Sequence, residues 1–295
     1  MPQVKRFVPR LLMLSLALWS SAALAASPAR FDLRDGWDLQ SARLVGEEGA
    51  TLSTPQYRPQ GWYRTAVPST VVAAQVAAGE LPDPYVGMNL RQIPGTTYPV
   101  GENYTLLPMP ADSPYASGWW YRKEFALPRD FAGRTAWLHF GGINYRANIW
   151  LNGRQLAGAG EVAGAYRIYE LDATSLLQPG EKNVLAVETF APTPTDLAIN
   201  WVDWNPTPPD KDMGLWGDVY LLSSGPVSLR HPFVTTHFVD PSLGRADLTV
   251  RAELRNTAAR PIAAVVDGEI EGVRFSQPVE LKPGEERAVV FTPEQ

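Results

Sequence analysis

The sequence predicts an all-β protein that is built from two consecutive β-sandwiches. Short segments of alternating apolar and polar residues follow one another along the chain, and turns rich in proline, glycine and asparagine separate them. The composition agrees, because 295 residues include 27 prolines and 24 glycines, while charged residues make up only 19%. The spacing of the last strands is typical of an immunoglobulin-like sandwich.

The first 25 residues are predicted to be an export signal. Lys5, Arg6 and Arg10 precede an uncharged apolar run that ends in Ala23-Leu24-Ala25, an A-x-A cleavage pattern. That run is shorter than the ~20 residues that a membrane span needs. We therefore expect cleavage after Ala25 and export to the periplasm or the medium.

The first sandwich is predicted over residues 26–223. It opens with a strand over Phe31–Leu39, in which Gly36 is a weak point. A short helix follows, for which Ser69 is the expected N-cap and Gly79 the expected end.

Five further strands complete the first sandwich. Each alternates between two faces, and Asn152-Gly153 supplies the positive-φ pair of a tight hairpin turn. The tryptophans on these strands are expected to pack within or between the sheets. The strands cover Trp119–Leu127, Thr135–Phe140, Ala147–Leu151, Val184–Thr189 and Asp218–Leu222.

The second sandwich is predicted over residues 224–295. Its expected strands are Phe233–Val239, Leu248–Arg255, Ala263–Ile270 and Arg287–Thr292. An immunoglobulin-like sandwich needs about 100 residues, whereas about 70 follow Gly225. We expect this sandwich to be incomplete and the sequence to be the front end of something longer.

Several classes of site are disfavoured by the composition. With no cysteine, disulfides, zinc–thiolate sites and cysteine nucleophiles are excluded. The only histidines, His139, His231 and His237, are scattered, whereas metal sites need clustered ligands. A net charge of −5 without a basic stripe argues against nucleic acid. We expect no cofactor and no metal.

One loop carries an unusual number of aromatic rings. Residues 200–221 read NWVDWNPTPPDKDMGLWGDVYL, with three tryptophans and three prolines. Proline removes a ladder hydrogen bond, so the part before Asp218 is predicted to be a loop. Such a loop suits a sugar-binding surface or a docking surface for another domain. Asp210, Lys211 and Asp212 are expected to be solvated turn charges.

Five motifs occur in an order and spacing that point to one family. They are Trp62 with Val67-Pro68-Ser69-Thr70, then Gly118–Phe125, Leu138–Gly153, Asn183–Val187 and Met213–Val219. Together they resemble the N-terminal sugar-binding domain of glycoside hydrolase family 2, a galactose-binding-like jelly roll. Residues 225–295 resemble the immunoglobulin-like domain that follows it there.

Two stretches resemble the exo-β-D-glucosaminidases within that family, with β-mannosidases next. They are Pro82–Asn89 and Asp203–Trp216. One position departs from the pattern, because the family usually has arginine after the tryptophan of Gly-x-Trp and Gly217 stands here. The departure puts a local ion pair in doubt.

The resemblance implies retaining glycoside hydrolysis, which needs two carboxyl groups about 5–5.5 Å apart. In the family both come from a TIM barrel that follows the two sandwiches, and no strand–helix alternation occurs after Gly225. The adjacent pairs Glu47-Glu48 and Glu285-Glu286 are expected to be solvated. No catalytic residue is therefore assigned, and the barrel is the expected partner.

The resemblance also implies a contact with the terminal sugar, glucosamine or mannose, by Asp203, Trp204 and Asn205. An aromatic ring suits the C–H face of a pyranose, and carboxylate or amide groups suit its hydroxyls and a protonated amine. Asn103 and Tyr104 are weaker candidates. Two alternatives stay open: a stand-alone carbohydrate-binding module without hydrolase activity, and a structural fragment that binds no sugar by itself.

Overall fold

The structure of the protein is a computed structural model, which describes residues 28–96, 109–199 and 207–294. Within these ranges the predicted all-β architecture is confirmed: the chain forms two β-sandwiches. The helices of this part are short, α1 at Gly49–Leu52 and α2 at Val71–Ala77. Turns of 3₁₀ helix occur at Ala42–Leu44, Asn89–Gln92 and Arg129–Phe131. No described helix is long and apolar enough to cross a membrane.

The first sandwich consists of a six-stranded sheet and a four-stranded sheet, with antiparallel pairing throughout. The sheet orders are β3-β2-β5-β10-β7-β8 and β1-β12-β6-β9, and β11 pairs with β4 beside them. In chain order the strands are β1 Arg30–Asp32, β2 Trp37–Ser41, β3 Tyr63–Thr65, β4 Ser69–Thr70, β5 Trp119–Ala126, β6 Thr135–Phe140, β7 Arg146–Leu151, β8 Arg154–Ala157, β9 Tyr169–Asp172, β10 Lys182–Phe190, β11 Gly214–Leu215 and β12 Val219–Ser224.

The predicted opening strand Phe31–Leu39 is two strands in different sheets. β1 pairs with β12, whereas β2 pairs with β5 and β3. Gly36 lies between them with φ of +73°, a conformation that glycine adopts without steric cost. The weak point predicted at Gly36 is thus the place where the chain passes from one sheet to the other.

Helix α2 starts one residue later than its predicted cap implied. The Thr70 hydroxyl, not that of Ser69, accepts a hydrogen bond from the Ala73 N–H, and Ser69 belongs to β4. Gly79 follows the helix with φ of +78°, as a C-terminal glycine is expected to do. The hairpin turn predicted at Asn152-Gly153 is confirmed, with φ of +50° and +84°.

The core of the first sandwich lies between its two sheets and contains large side chains such as Trp37, Tyr121 and Phe140, which are fully buried. Burying one such side chain contributes about 1.5–3 kcal/mol. The packing predicted for the strand tryptophans is confirmed, since three are buried and one is half-buried: Trp119, Trp120, Trp137 and Trp150.

The second sandwich has a three-stranded sheet, β13-β14-β17, over a two-stranded one, β15-β16. Its core is smaller, with seven buried apolar residues, among them Leu254 and Phe291. The strand β16 was not predicted, because Pro278 and several polar residues hide its pattern, yet proline is tolerated on an edge strand. The strands are β13 Val227–Phe238, β14 Ala246–Asn256, β15 Ile262–Ile270, β16 Val273–Leu281 and β17 Glu286–Phe291.

The two sandwiches meet on the outer face of the four-stranded sheet. The guanidinium groups of Arg230 and Arg255 both contact the buried ring of Trp137, with their carbons 4.7 Å and 5.2 Å from the ring centre. Arg230 Nε also donates to Glu170 Oε2 at 2.9 Å, and His139 Nδ1 is 3.6 Å from Glu170 Oε1. His139 and Arg230 together lower the pKa of Glu170 to about 2.

Candidate substrate-binding site

The predicted sugar contacts Asp203, Trp204 and Asn205 lie outside the described residues, as do Asn103 and Tyr104. Their assignment stays a prediction. The chain is described up to residue 199 and again from residue 207, so the structure shows how both sides of residues 200–206 are held. We call these two sites the N-terminal anchor, built by Arg146 and Asp196, and the C-terminal anchor, built by Asn144 and Asp210.

The C-terminal anchor contains a buried carboxylate. Asp210 has no exposed surface; its Oδ2 accepts from the Val72 N–H at 2.8 Å and its Oδ1 from the Asp212 N–H at 3.0 Å. Val72 belongs to the first turn of α2. The prediction that Asp210 and Lys211 are solvated turn charges is therefore wrong, since Lys211 is also only 3% exposed.

Asn144 holds the same turn from its other side. This fully buried residue donates from Nδ2 to the carbonyls of Lys211, at 2.8 Å, and Asp212, at 2.9 Å. Its backbone pairs with Gly214 through two hydrogen bonds of 2.9 Å and 2.8 Å. Lys211 and Asp212 both have positive φ, of +51° and +56°, so an uncommon backbone conformation is held by these bonds.

Close packing continues the anchor toward the core. Gly214 has φ of +147°, and a Cβ there would come 2.4 Å from the Tyr121 hydroxyl and 2.7 Å from the Ser69 carbonyl. The Tyr121 hydroxyl donates to that carbonyl at 3.1 Å. Only glycine fits at this position, so the anchor is joined tightly to β4 and β5.

Burial raises the pKa of Asp210 to about 7, although the Val72 and Asp212 N–H groups favour the charged form. The pKa of the buried Tyr121 hydroxyl is raised as well. Burial is the larger cause, and the nearby charge of Asp210 adds to it. The carboxylate is thus in an apolar setting, and its ligands are backbone dipoles rather than a cation.

The N-terminal anchor is an ion pair with two parallel hydrogen bonds. Arg146 Nη1 and Nη2 donate to Asp196 at 2.7 Å and 2.6 Å. Asp196 also accepts from the Thr193 N–H at 2.8 Å and the Thr193 hydroxyl at 2.9 Å. The Arg146 guanidinium is the main cause that lowers the pKa of Asp196 to about 2.

Both anchors start from one short piece of chain. Asn144 lies two residues before β7 and Arg146 is the first residue of β7; one holds the chain after residues 200–206 and the other holds the chain before them. This short piece of chain therefore holds described residues on both the N-terminal and the C-terminal side of residues 200–206.

The presence of glycine at position 217 has a steric explanation and does not depend on an ion pair. A Cβ at this position would come 2.3 Å from the Gly142 nitrogen and 2.4 Å from the Gly141 carbonyl carbon. The neighbouring Trp216 packs over Gly142, and its Nε1 donates to the Ala165 carbonyl at 2.9 Å. Trp216 is therefore engaged with its own sandwich, and no side chain fits at position 217.

Glu47 and Glu48 are exposed, as expected. Glu286 is exposed as expected, and Glu285 is partly exposed at the predicted turn. Glu285 also holds that turn, because it accepts from the Lys282 N–H at 2.8 Å and from Arg287. Among the described residues, no three His, Asp or Glu side chains are grouped as a metal site. The strand–helix alternation of a barrel does not occur in this part of the chain.

The comparisons with known proteins agree with this architecture. Residues 113–200, which include β5 to β10, match the family described as glycosyl hydrolase 2 galactose-binding domain-like. The crystal structure of an exo-chitosanase from Amycolatopsis orientalis superimposes with a TM-score of 0.77 at 30% identity, covering 89% of this chain and 28% of that one.

Two curated relatives extend the comparison. The chain is 38% identical over 259 residues to an exo-beta-D-glucosaminidase of Streptomyces avermitilis, covering 88% of this chain and 26% of that protein. It is 26% identical over 279 residues to a mannosylglycoprotein endo-beta-mannosidase of Lilium longiflorum, covering 84% of this chain and 27% of that protein. The chain thus spans about a quarter of the length of these relatives.

Proposed function

We propose, from the premise that this chain carries the N-terminal galactose-binding-like domain of glycoside hydrolase family 2, that the protein removes terminal β-linked glucosamine from glucosamine oligomers. The observation that carries the proposal is the 38% identity, over 88% of this chain, to an exo-beta-D-glucosaminidase. The carboxyl groups of a retaining mechanism are assigned to the part of the enzyme beyond the two sandwiches.

In this proposal the chain supplies one wall of the substrate site. Asp203, Trp204 and Asn205 contact the terminal sugar, with the tryptophan ring against its C–H face. Asp203 accepts a charge-assisted hydrogen bond from the protonated amine or from a hydroxyl. The two anchors support this role, because a contact that stabilises a transition state must be held in place before the substrate arrives.

A mannose-configured substrate is the second candidate. The likeness to the endo-beta-mannosidase of Lilium longiflorum favours it, although at 26% identity rather than 38%. Glucosamine ranks first also because an amine next to Asp203 gains a cation–carboxylate bond that mannose lacks. We further propose that the protein is exported, on the strength of the A-x-A pattern at Ala23–Ala25.

The test uses the protein produced from its complete reading frame. It is incubated with glucosamine oligomers, N-acetylglucosamine oligomers and β-linked mannose oligomers, and the released monosaccharide is identified. We expect glucosamine from the non-reducing end. Release of mannose alone would move the assignment to the mannosidases, and release from no substrate would refute the hydrolase.

The role of Asp203 is tested in the same assay. Asp203→Ala is expected to lower kcat/KM by about 10- to 100-fold, the loss of one charge-assisted hydrogen bond to the substrate. Asp130→Ala is the control, because Asp130 is an exposed aspartate in the turn Arg129–Phe131. If kcat/KM is unchanged in Asp203→Ala, this residue does not contact the substrate.

A further inference from the structure

An open groove of about 750 Å³ lies on the outer side of the six-stranded sheet. Its lining comes from residues 40–62 alone, so it shares no residue with the anchors beside residues 200–206. The volume falls within the ~300–1,000 Å³ that is usual for small-molecule sites. Nothing in the function proposed above uses this groove.

The groove combines two aromatic rings with a set of neutral polar groups. Tyr57 and Trp62 meet edge to face, with ring centres 6.0 Å apart and planes at 65°. Thr51, Gln56 and Gln60 line the groove and are exposed. Flat rings beside amide and hydroxyl groups match a pyranose, which presents C–H groups on its faces and hydroxyls around its rim.

The charges of the groove favour a neutral or weakly charged ligand. One carboxylate, Glu47, and one guanidinium, Arg58, line it. They balance each other, so neither a polyanion nor a strongly basic peptide finds a complementary field. A glycan gains its affinity from stacking and hydrogen bonds and does not need such a field.

The wall of the groove is held in place by a buried arginine. Arg122 is 1% exposed and donates to the carbonyls of Leu52 at 2.8 Å, Thr54 at 3.1 Å and Tyr57 at 3.4 Å. Its charge is paired with Glu124, whose Oε1 is 2.8 Å from Arg122 Nη2. A single side chain thus fixes the backbone that presents Tyr57.

Other hydrogen bonds hold the rest of the segment that carries the lining residues. The buried Gln40 donates from Nε2 to the Gly61 carbonyl at 2.7 Å, next to Trp62. The Ser53 hydroxyl donates to the Gly49 carbonyl at 2.6 Å and accepts from the Gly153 N–H at 3.0 Å. A recess with preorganised walls binds a ligand without a large ordering cost.

We propose that this groove is a second glycan-binding site, which holds a stretch of β-linked oligosaccharide with Trp62 and Tyr57 against the sugar faces. The proposal goes beyond the hydrolase function, and only the inclusion of a glucosamine hexamer among the probes rests on it. The balanced charges of the groove suit the neutral mannose and glucose hexamers better than a polyamine. In a polymer-degrading enzyme such a site keeps the chain associated between cleavage events and raises its effective concentration.

The experiment measures binding to the 295-residue chain by isothermal titration calorimetry, with hexamers of β-linked glucosamine, mannose and glucose in separate arms. Chemical-shift mapping in a labelled sample locates the ligand. We expect saturable binding by at least one hexamer, with shifts concentrated in residues 40–62. Absence of binding by all three hexamers, or shifts confined to other regions, would overturn the proposal.

Three variants and a control test the residues. Trp62→Ala is expected to weaken binding by about tenfold or more, since a stacked aromatic face is lost. Gln56→Ala and Gln60→Ala remove exposed side chains and so keep the fold, and each is expected to weaken binding about threefold. Tyr166→Ala, an exposed aromatic outside the groove, is expected to leave it unchanged. Unchanged binding in all three groove variants refutes the assignment.

A last pair of measurements tests whether the groove acts independently of the hydrolase activity and whether another part of the protein covers it. In the protein made from its complete reading frame, Trp62→Ala is expected to keep kcat on a glucosamine dimer and to lower turnover on long polymer. Hydrogen exchange of residues 49–62 should be the same there as in the 295-residue chain. Strong protection in the longer protein would show that polypeptide fills the groove, and the proposal would fail while the hydrolase stands.

Discussion

On the N-terminal side of residues 200–206 the chain is held by an ion pair, whereas on the C-terminal side it is held by a carboxylate that binds backbone N–H groups. Arg146 and Asp196 compensate each other's charge; the Arg146 side chain is 35% exposed and the Asp196 side chain 9%. Asp210 is completely buried, and both hydrogen bonds shown for its carboxylate come from main-chain N–H groups. The cost of removing a carboxylate from water is therefore offset by a cation in the N-terminal anchor and by backbone N–H groups in the C-terminal anchor.

This difference indicates which of the two anchors contributes more to the free energy of unfolding. A partly exposed pair loses little when it is broken, because water replaces the lost partner. A buried carboxylate also satisfies donors that water cannot reach, so its removal leaves those donors unpaired. We expect the C-terminal anchor to contribute more to the free energy of unfolding than the N-terminal anchor.

Asp210→Ala is expected to have the largest effect. The change removes the carboxylate that accepts from the Val72 and Asp212 N–H groups, and the free energy of unfolding should fall by about 3 kcal/mol at pH 5. Urea denaturation followed by tryptophan fluorescence measures it, with Asp130→Ala as control. A loss below that of Arg146→Ala would reverse the ranking of the anchors.

The same variant has a pH signature. The folded pKa of Asp210, about 7, lies above its ordinary value of 3.8, so the native state binds the proton more tightly than the unfolded state. Its stabilising contribution is complete below pH 4 and decreases as the pH rises to about 7. The difference in the free energy of unfolding between wild type and Asp210→Ala should therefore shrink from pH 5 to pH 8. A growing difference would contradict a raised pKa of Asp210 in the folded protein.

Asn144→Ala comes next, with an expected loss of about 2 kcal/mol. The variant removes both side-chain hydrogen bonds that hold the Lys211 and Asp212 carbonyls, although the backbone pairing with Gly214 survives. Because no ionisable group is removed, the loss should be the same at pH 5 and pH 8. A pH-dependent loss would mean that Asn144 acts through Asp210.

Much of the fold followed from the sequence, because alternation and turn residues are local signals. Trp119–Ala126 and Thr135–Phe140 occur within one residue of their predicted bounds. The C-terminal anchor was missed because its partners are distant: Asp210 binds Val72, which is 138 positions earlier. A charged residue that follows two prolines is expected to be solvated until that contact is known. Gly217 likewise resembles a lost arginine until Gly142 is found packed against it.

Arg146→Ala is expected to cost about 1 kcal/mol, since Asp196 keeps its bonds from Thr193 and the exposed side of the pair becomes hydrated. The dependence of this loss on salt concentration distinguishes the two anchors more clearly than its size. The loss should decrease in 1 M sodium chloride, where charges are screened over about 3 Å, whereas the loss in Asn144→Ala should not change. Equal salt dependence in both variants would remove the distinction between the two anchors.

The smallest expected effect is the acid titration of the N-terminal anchor, which has the opposite sign to that of Asp210. The folded pKa of Asp196, about 2, lies below its ordinary value of 3.8. Its contribution is therefore present above pH 4 and is lost as the pH falls toward 2. The stability difference between wild type and Asp196→Asn should shrink from pH 5 to pH 3, while that of Asp210→Ala is retained. If both differences moved in the same direction, the two carboxylates would share one kind of environment, and the contrast between an ion pair and a buried, dipole-bound carboxylate would be wrong.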